Sequence, residues 1–234
     1  MAKVAVVTGG SSGIGAATAR LLSGRGWQVA VVARKGVEFQ ADVAKDADCR
    51  RVAKAVLDQW GRIDALVNNA GTTKFVKHAD LEGLAAADYE RIFGINLVGP
   101  FQMVRACADA LKAARGAVVN VSSVASLRGT GSSIAYAASK AALNTMTQSL
   151  ARALAPEVRV NAVLPGFVRT PWQDLNGKEA GDAAERSFAA AAPLKRAIPE
   201  GDVAEAIAFL IDGARSTTGE TLLVDAGVHL ATGR

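Results

Sequence analysis

Tyr136 and Lys140 stand four residues apart in the run Tyr136-Ala-Ala-Ser-Lys140-Ala-Ala-Leu143. Alanine and leucine favour helix, so phenol and ammonium are expected on one helical face, a turn apart. A phenol with a pKa of about 10 is a poor acid or base near neutrality, but an adjacent ammonium favours the phenolate and brings that value toward working range. The pair therefore reads as a tuned proton donor. The same spacing occurs in incidental surface pairs, so its meaning depends on what the rest of the chain supplies.

The N-terminal segment supplies a binding loop. The apolar run Val4-Ala5-Val6-Val7 leads into Thr8-Gly9-Gly10-Ser11-Ser12-Gly13-Ile14-Gly15, and a helical pattern follows from Ala16 to Leu22. In such a strand, turn and helix the glycines allow tight backbone geometry and close approach of a ligand, while the helix offers unpaired N–H groups to a pyrophosphate. The spacing is G-x-x-x-G-x-G, unlike the commonest dinucleotide fingerprint G-x-G-x-x-G. A plain flexible turn is the alternative for the glycines taken by themselves.

The elements that must position these groups alternate along the chain. Strands are expected at 4–7, 28–33, near 39–43, 64–67, 117–121, 158–163 and 221–224, and helices at 13–24, 47–60, 84–113, 134–154 and 202–212. Continuous apolar strands separated by helices imply an α/β fold with a doubly wound parallel sheet covered on both faces. Ligands bind such sheets at the carboxyl ends of the strands. Gly9 to Gly15, Arg34, Asn69 to Gly71, Ser122 to Ser123 and Pro165 to Gly166 all fall just after an expected strand end.

Together these residues resemble the short-chain dehydrogenase/reductase family in its single-domain branch. The landmarks are Thr8-Gly9-x-x-x-Gly13-Ile14-Gly15, Asp42-Val43, Asn68-Asn69-Ala70-Gly71, Asn96, Ser122-Ser123, Tyr136-x-x-x-Lys140, Pro165-Gly166 and Asp225-Ala226-Gly227. Ser123 precedes Tyr136 by thirteen residues, the family's usual interval. The resemblance implies one NAD(P)-binding Rossmann domain over 1–234, with a substrate lid near 171–198.

It also implies a cofactor site. Gly9, Ser11, Ser12, Gly13, Ile14 and Gly15 would surround the pyrophosphate. Asp42 would bond the adenine amino group, Val43 would add a backbone contact, and Asn69, Ala70 and Gly71 would line the ribose. Pro165, Gly166 and Val168 lead to Thr170, which would hold the nicotinamide carboxamide. Lys140 would bond the nicotinamide ribose while lowering the Tyr136 pKa, Ser123 would donate to the substrate carbonyl, and Asn96 would anchor a water relaying protons to Lys140. Asn96 is equally readable as a residue satisfying the backbone at a helix bend. Strand alternation sends Ser122 and Ser123 to opposite faces, so only one of them meets a substrate.

The choice of cofactor turns on Ala33-Arg34-Lys35. A dinucleotide fold uses an acid at this point for a ribose 2′-OH and a basic residue for a 2′-phosphate. Position 33 is alanine, where NAD-using relatives carry Asp, and the planar fork of Arg34 suits phosphate, so NADP(H) is expected over NAD(H). Only Arg34 to Phe39 joins two strands here, where the family usually has a helix, so this edge is trimmed.

Composition limits the remaining classes. Of 234 residues half are hydrophobic and 21% charged, which argues against disorder. Net charge is +5, yet the bases are dispersed among acids without a basic block, so no nucleic-acid partner is expected. The apolar runs are too short for a membrane span or a secretory signal, and a cytoplasmic protein is expected. Cys49 and Cys107 read as packing residues, and His78 and His229 stand far apart, so no metal site is expected.

Trp172, Leu175 and Phe188 place aromatic and aliphatic groups in the lid, which suits an apolar substrate or a lid packed on its own protein. The leading expectation is NADP(H)-dependent reduction of a ketone such as a 3-oxoacyl thioester. Oxidation of a sugar, steroid or other secondary alcohol is the alternative, and a catalytically silent NADP-binding regulatory protein is the alternative of another class. Excess apolar residues at Leu97, Val98, Phe101, Val104, Leu143, Met146 and Leu150, with the tail Val228 to Ala231, point to a homotetramer.

Overall fold

Strand β1 (Val4–Thr8) is buried at every position, because its two faces look into different apolar layers. Val4 and Val6 join one core, Ala5 and Val7 the other. An uninterrupted apolar run is what such a strand requires. The computed structural model describes residues 2–231, apart from the side chains of residues 174–176. The side chain of Leu175, expected in the lid, thus lies outside the described residues.

After β1 come helix α1 (Gly13–Gly24), strands β2 (Gln28–Ala33) and β3 (Phe39–Gln40), helix α2 (Asp46–Trp60) and strand β4 (Ala65–Asn68). Helix α3 (Ala86–Phe93) passes through a π turn (Gly94–Val98) into α4 (Gly99–Ala114), followed by β5 (Ala117–Val121), the single-turn α5 (Ala125–Arg128), α6 (Ile134–Leu154) and β6 (Arg159–Pro165). A 3-10 segment (Pro171–Asn176), α7 (Lys178–Ala191), α8 (Glu200–Ala208), a second π turn (Phe209–Gly213), β7 (Thr221–Val224) and a 3-10 turn (Val228–Leu230) follow.

The strands form one seven-stranded sheet in the order β3-β2-β1-β4-β5-β6-β7, with every neighbouring pair parallel. The chain starts at β1, winds outward to β3, then returns and winds the other way from β4. Connections leave β1 and β4 in opposite directions, which opens a crevice at their carboxyl ends. On one face lie α2, α4 and α6, through residues such as Cys49, Val52, Met103, Cys107 and Leu150. On the other, α1 and α8 contribute Leu22, Val203 and Ile207. This is the doubly wound Rossmann architecture expected from the alternating pattern.

The structure corrects several local expectations. The helix expected over 84–113 is two helices joined by a π turn, and α8 likewise ends in one. A π turn accommodates an extra residue without breaking the apolar stripe, so periodicity passes over it. The second one ends where the Arg159 guanidinium donates to the carbonyls of Leu210 at 2.7 Å, Ala214 at 2.9 Å and Ile211 at 2.5 Å. The strand expected near 39–43 shrinks to β3, since the short link 34–38 lets it pair only with the end of β2, Val32 with Phe39 and Ala33 with Gln40.

Helices α5 and α7 depart from the expected elements: one is a single turn, and the other is an alanine-rich stretch in which Phe188 is the one large apolar residue. The apolar excess on α4 and α6 is smaller than expected too. Val104, Leu143 and Leu150 are buried in this chain's own core and Met146 packs against it, leaving Val98 (47% exposed) and Phe101 (40%) facing outward.

Candidate active site

The glycine loop is shaped by sterics that no side chain would tolerate. Gly9 and Gly13 have φ of +64° and +55°, the left-handed region. A Cβ on Gly9 would lie 2.8 Å from Asn69 Nδ2, and one on Gly15 would lie 2.4 Å from the Gly9 carbonyl oxygen. Asn69 Nδ2 donates to the carbonyls of Thr8 at 3.0 Å and Gly9 at 3.1 Å. Thr8 Oγ1 accepts from the amides of Asn69 and Ala70 at 3.0 and 3.1 Å. The ends of β1 and β4 are thereby stapled together beneath the loop.

Above them opens a cavity of about 650 Å³. At one end it is lined by Arg34, Lys35, Asp42 and Val43, along its floor by Gly9, Ser11, Ser12, Gly13, Ile14, Asn69, Ala70 and Gly71, and at the other end by Ser123, Tyr136, Lys140, Pro165, Gly166, Val168 and Thr170. Of the expected site residues, Gly15 and Asn96 do not line it. Gly15 is buried behind the loop. Val32, Ala41, Thr72, Ile95, Val121 and Gln173 line the cavity without having been singled out for it. Thr72 adjoins Gly71 and Gln173 adjoins Trp172, so proximity to a named motif was the available signal.

The loop fits a phosphate. Ser12 occupies the N-cap of α1, yet its side chain makes no capping hydrogen bond and the first turn carries no acid. First-turn N–H groups without a capping side chain, next to a cradle that a Cβ would fill, are what an anion needs. Arg34 and Lys35 are exposed at the mouth and make no ion pair among the described residues. Val43 is fixed by its own carbonyl, which accepts from Gln102 Nε2 at 3.0 Å.

At the other end α6 begins with Ser133, whose Oγ accepts from the Tyr136 amide at 3.3 Å. Tyr136 and Lys140 then face the cavity one turn apart. Lys140 Nζ donates to the Val121 carbonyl at 2.8 Å, and burial lowers its pKa to about 8. The phenol departs from expectation. Burial pushes the Tyr136 pKa up, and the opposing influence is a hydrogen bond with the Ser123 side chain rather than the ammonium. Tyr136 is consequently held in the protonated form, the form a proton donor needs.

Ser122 and Ser123 follow the end of β5 and find different neighbours. Ser122 Oγ is buried and donates to the Lys140 carbonyl at 3.1 Å, tying β5 to α6. Ser123 faces the phenol. Asn96, fully buried in the first π turn, donates through Nδ2 to the Thr72 carbonyl and to Ser139 Oγ, both at 3.0 Å, and accepts from the Thr72 amide at 2.8 Å. Both N–H bonds of this amide serve the scaffold, so its side chain clamps the 72 segment to α6 rather than reaching toward Lys140.

Over this end lies Trp172, edge-on to Tyr136 with ring centroids 6.0 Å apart, and 3.5 Å from where a Gly71 Cβ would stand. Helix α7 is docked by Phe188, which fills the space beside Gly166 and lies tilted against Phe167 with ring centroids 6.0 Å apart. Arg169 adds ion pairs to Asp182 at 2.6 Å and Glu185 at 3.4 Å. The segment covering the site is therefore anchored to the stretch that carries Gly166 and Thr170.

Among the described residues no group of three or more His, Cys, Asp or Glu side chains converges as for a metal ion, and no helix is long and apolar enough to cross a membrane. Residues 9–229 match a family model described as enoyl-(acyl carrier protein) reductase. A provisionally named ketoacyl reductase 2 of the granaticin polyketide synthase from Streptomyces violaceoruber is 41% identical over 98% of this chain and 97% of its own. The 3-oxoacyl-[acyl-carrier-protein] reductase of Staphylococcus epidermidis is 33% identical over 98% of this chain and all of its own. Among solved structures, ElxO with NADP bound superposes with a TM-score of 0.89 at 26% identity, covering 98% of this chain and 100% of that one.

Proposed function

The chain belongs to the short-chain dehydrogenase/reductase family, and on that premise we propose that it is an NADP(H)-dependent carbonyl reductase whose substrate class is the 3-oxoacyl thioesters. One observation carries the reading: a half-buried Tyr136, kept protonated by desolvation and set beside Ser123, at the cavity end opposite Arg34. The relatives named for ketoacyl and 3-oxoacyl reduction support the substrate class, and the NADP-bound structural neighbour supports the cofactor.

In this reading the α1 N-terminus and glycine loop hold the pyrophosphate, Arg34 the 2′-phosphate, Lys140 the nicotinamide ribose and Thr170 the carboxamide. A bound nicotinamide would supply the hydride. As the carbonyl carbon accepts it, negative charge grows on the oxygen, where the Ser123 hydroxyl donates a hydrogen bond and Tyr136 delivers the proton that completes the alcohol. Trp172 and the α7 segment cover the reacting end and exclude water from it. Asn96 positions the 72 segment and α6 and touches no reactant. The outward Val98 and Phe101, with Leu194, Phe209 and Leu230, belong to subunit contacts of a homotetramer.

A panel of 3-oxoacyl thioesters, simple ketones, sugars and secondary alcohols, followed at the nicotinamide absorbance, tests the proposal. Oxidation of NADPH by the thioesters, fastest within the panel, is expected. Tight NADPH binding without turnover of any carbonyl or alcohol would instead make the chain a nucleotide-binding protein.

A further inference from the structure

The backbone that carries Ser123 is tied to α6 by hydrogen bonds that lie outside the cavity. Ser126 Oγ donates to the Ser123 carbonyl at 2.6 Å, and Asn144 Nδ2 donates to Ser126 Oγ at 2.8 Å. The Ser126 amide reaches the same carbonyl at 3.0 Å. Asn144 lies one turn beyond Lys140 and two beyond Tyr136 on the same helix. The chain has a direction: with the Ser126 O–H aimed at a carbonyl, only its oxygen is left to face Asn144, which must then present an N–H. Turning the amide would draw that O–H away and leave two acceptors in contact.

This arrangement strands the other half of the amide. Asn144 Oδ1 is buried and has no hydrogen-bond partner among the described residues. A buried polar atom in that position costs stability, and leucine, of similar shape, would avoid the cost. An asparagine here is poorly explained by packing and well explained by what its N–H holds. The Ser123 hydroxyl is fixed locally by the Ala125 amide at 3.2 Å, so the register of the whole turn against α6 decides where that hydroxyl stands relative to the phenol.

We infer that Asn144 and Ser126 are positioning residues, a two-member relay that holds the Ser123 turn against α6 so that the Ser123 hydroxyl stays aligned with Tyr136. The inference rests on the carbonyl-reductase reading of Ser123 and Tyr136. Hydrogen bonds in series polarise one another, so losing either member loosens the turn.

The test compares Asn144→Leu, Ser126→Ala and Ser126→Thr in the full chain by thermal melting, steady-state kinetics and phenolate titration, with Tyr136→Phe subtracting the contribution of Tyr89. Asn144→Leu should melt at or above the wild-type temperature while kcat falls roughly tenfold to a hundredfold and cofactor KM holds, the pattern of misplacement without unfolding. Its Tyr136 should ionise at higher pH than in the wild type, because the Ser123 hydrogen bond favours the phenolate. Ser126→Ala should behave alike, and Ser126→Thr, which keeps the hydroxyl, should recover most of the loss.

Wild-type kcat and titration in a folded Asn144→Leu would overturn the relay, as would kcat falling only in step with melting temperature. Should Asn144→Leu fail to fold, the Ser126 pair decides: equal activity of the Ala and Thr variants overturns it. Ser123→Ala separates the two levels. An active Ser123→Ala removes the catalytic reading itself, whereas an impaired Ser123→Ala beside an unimpaired Asn144→Leu removes only the relay.

Discussion

The Lys140 ammonium lies 5.8 Å from the centre of the Tyr136 ring and donates to the Val121 carbonyl. It stands toward the ring rather than bonding the phenol oxygen, an arrangement in which a cation is attracted by the π system. Ser123 is the group beside the phenol that opposes the effect of burial on its pKa. The two partners of Tyr136 thus come from different elements, Lys140 from its own helix and Ser123 from the turn after β5.

Tyr136→Phe removes the proton donor and leaves the glycine loop untouched. Turnover should fall by roughly 10²-fold or more, with cofactor affinity little changed. Single-turnover kinetics with calorimetric NADPH titration measures both, and near-normal turnover would take Tyr136 out of the acid role.

If Arg34 grips a 2′-phosphate, NADPH should bind more tightly than NADH. Arg34→Ala should lose roughly tenfold in NADPH affinity and little for NADH, and added salt should shrink the wild-type preference because the site is exposed. Equal affinities in the wild type would sink the assignment.

Burial lowers Lys140 from 10.5 to about 8. Between those values the unfolded chain holds a proton that the folded chain has released, so this residue makes stability rise with pH across that window. Below it, the folded state bears the full cost of a buried charge. Lys140→Met lacks the group, so its melting temperature relative to wild type should be highest below pH 8 and decline toward 10.5. The lost Val121 hydrogen bond offsets the gain by a constant amount. Parallel melting profiles over this range would contradict the assignment.

Val98 at the end of the first π turn and Phe101 on α4 are exposed, as are Leu194, Phe209 and Leu230 near the carboxyl-terminal elements. Two such areas suit two different two-fold contacts and hence a tetramer. Light scattering at micromolar concentration should report four chains. Phe101→Glu should halve the assembly without unfolding the subunit, and a wild-type monomer would show that these groups need no partner.

Much of the site was legible because its parts are local. A strand, a glycine turn and a helix are written in consecutive residues from Val4 to Leu22, and the Tyr136 and Lys140 spacing places both on one face by helix geometry alone. The carboxyl ends of parallel strands then gather Gly9, Asn69, Ser123 and Pro165 without any pair being adjacent in sequence. What stayed hidden was the partner of each polar side chain. Asn69 supports Thr8 and Gly9, Asn96 clamps Thr72 to Ser139, and Lys140 meets Val121. Covalent spacing determines which atoms share a face. Which acceptor a buried N–H finds depends on the segments that folding brings within three ångströms of it, and those come from elements dozens of residues away.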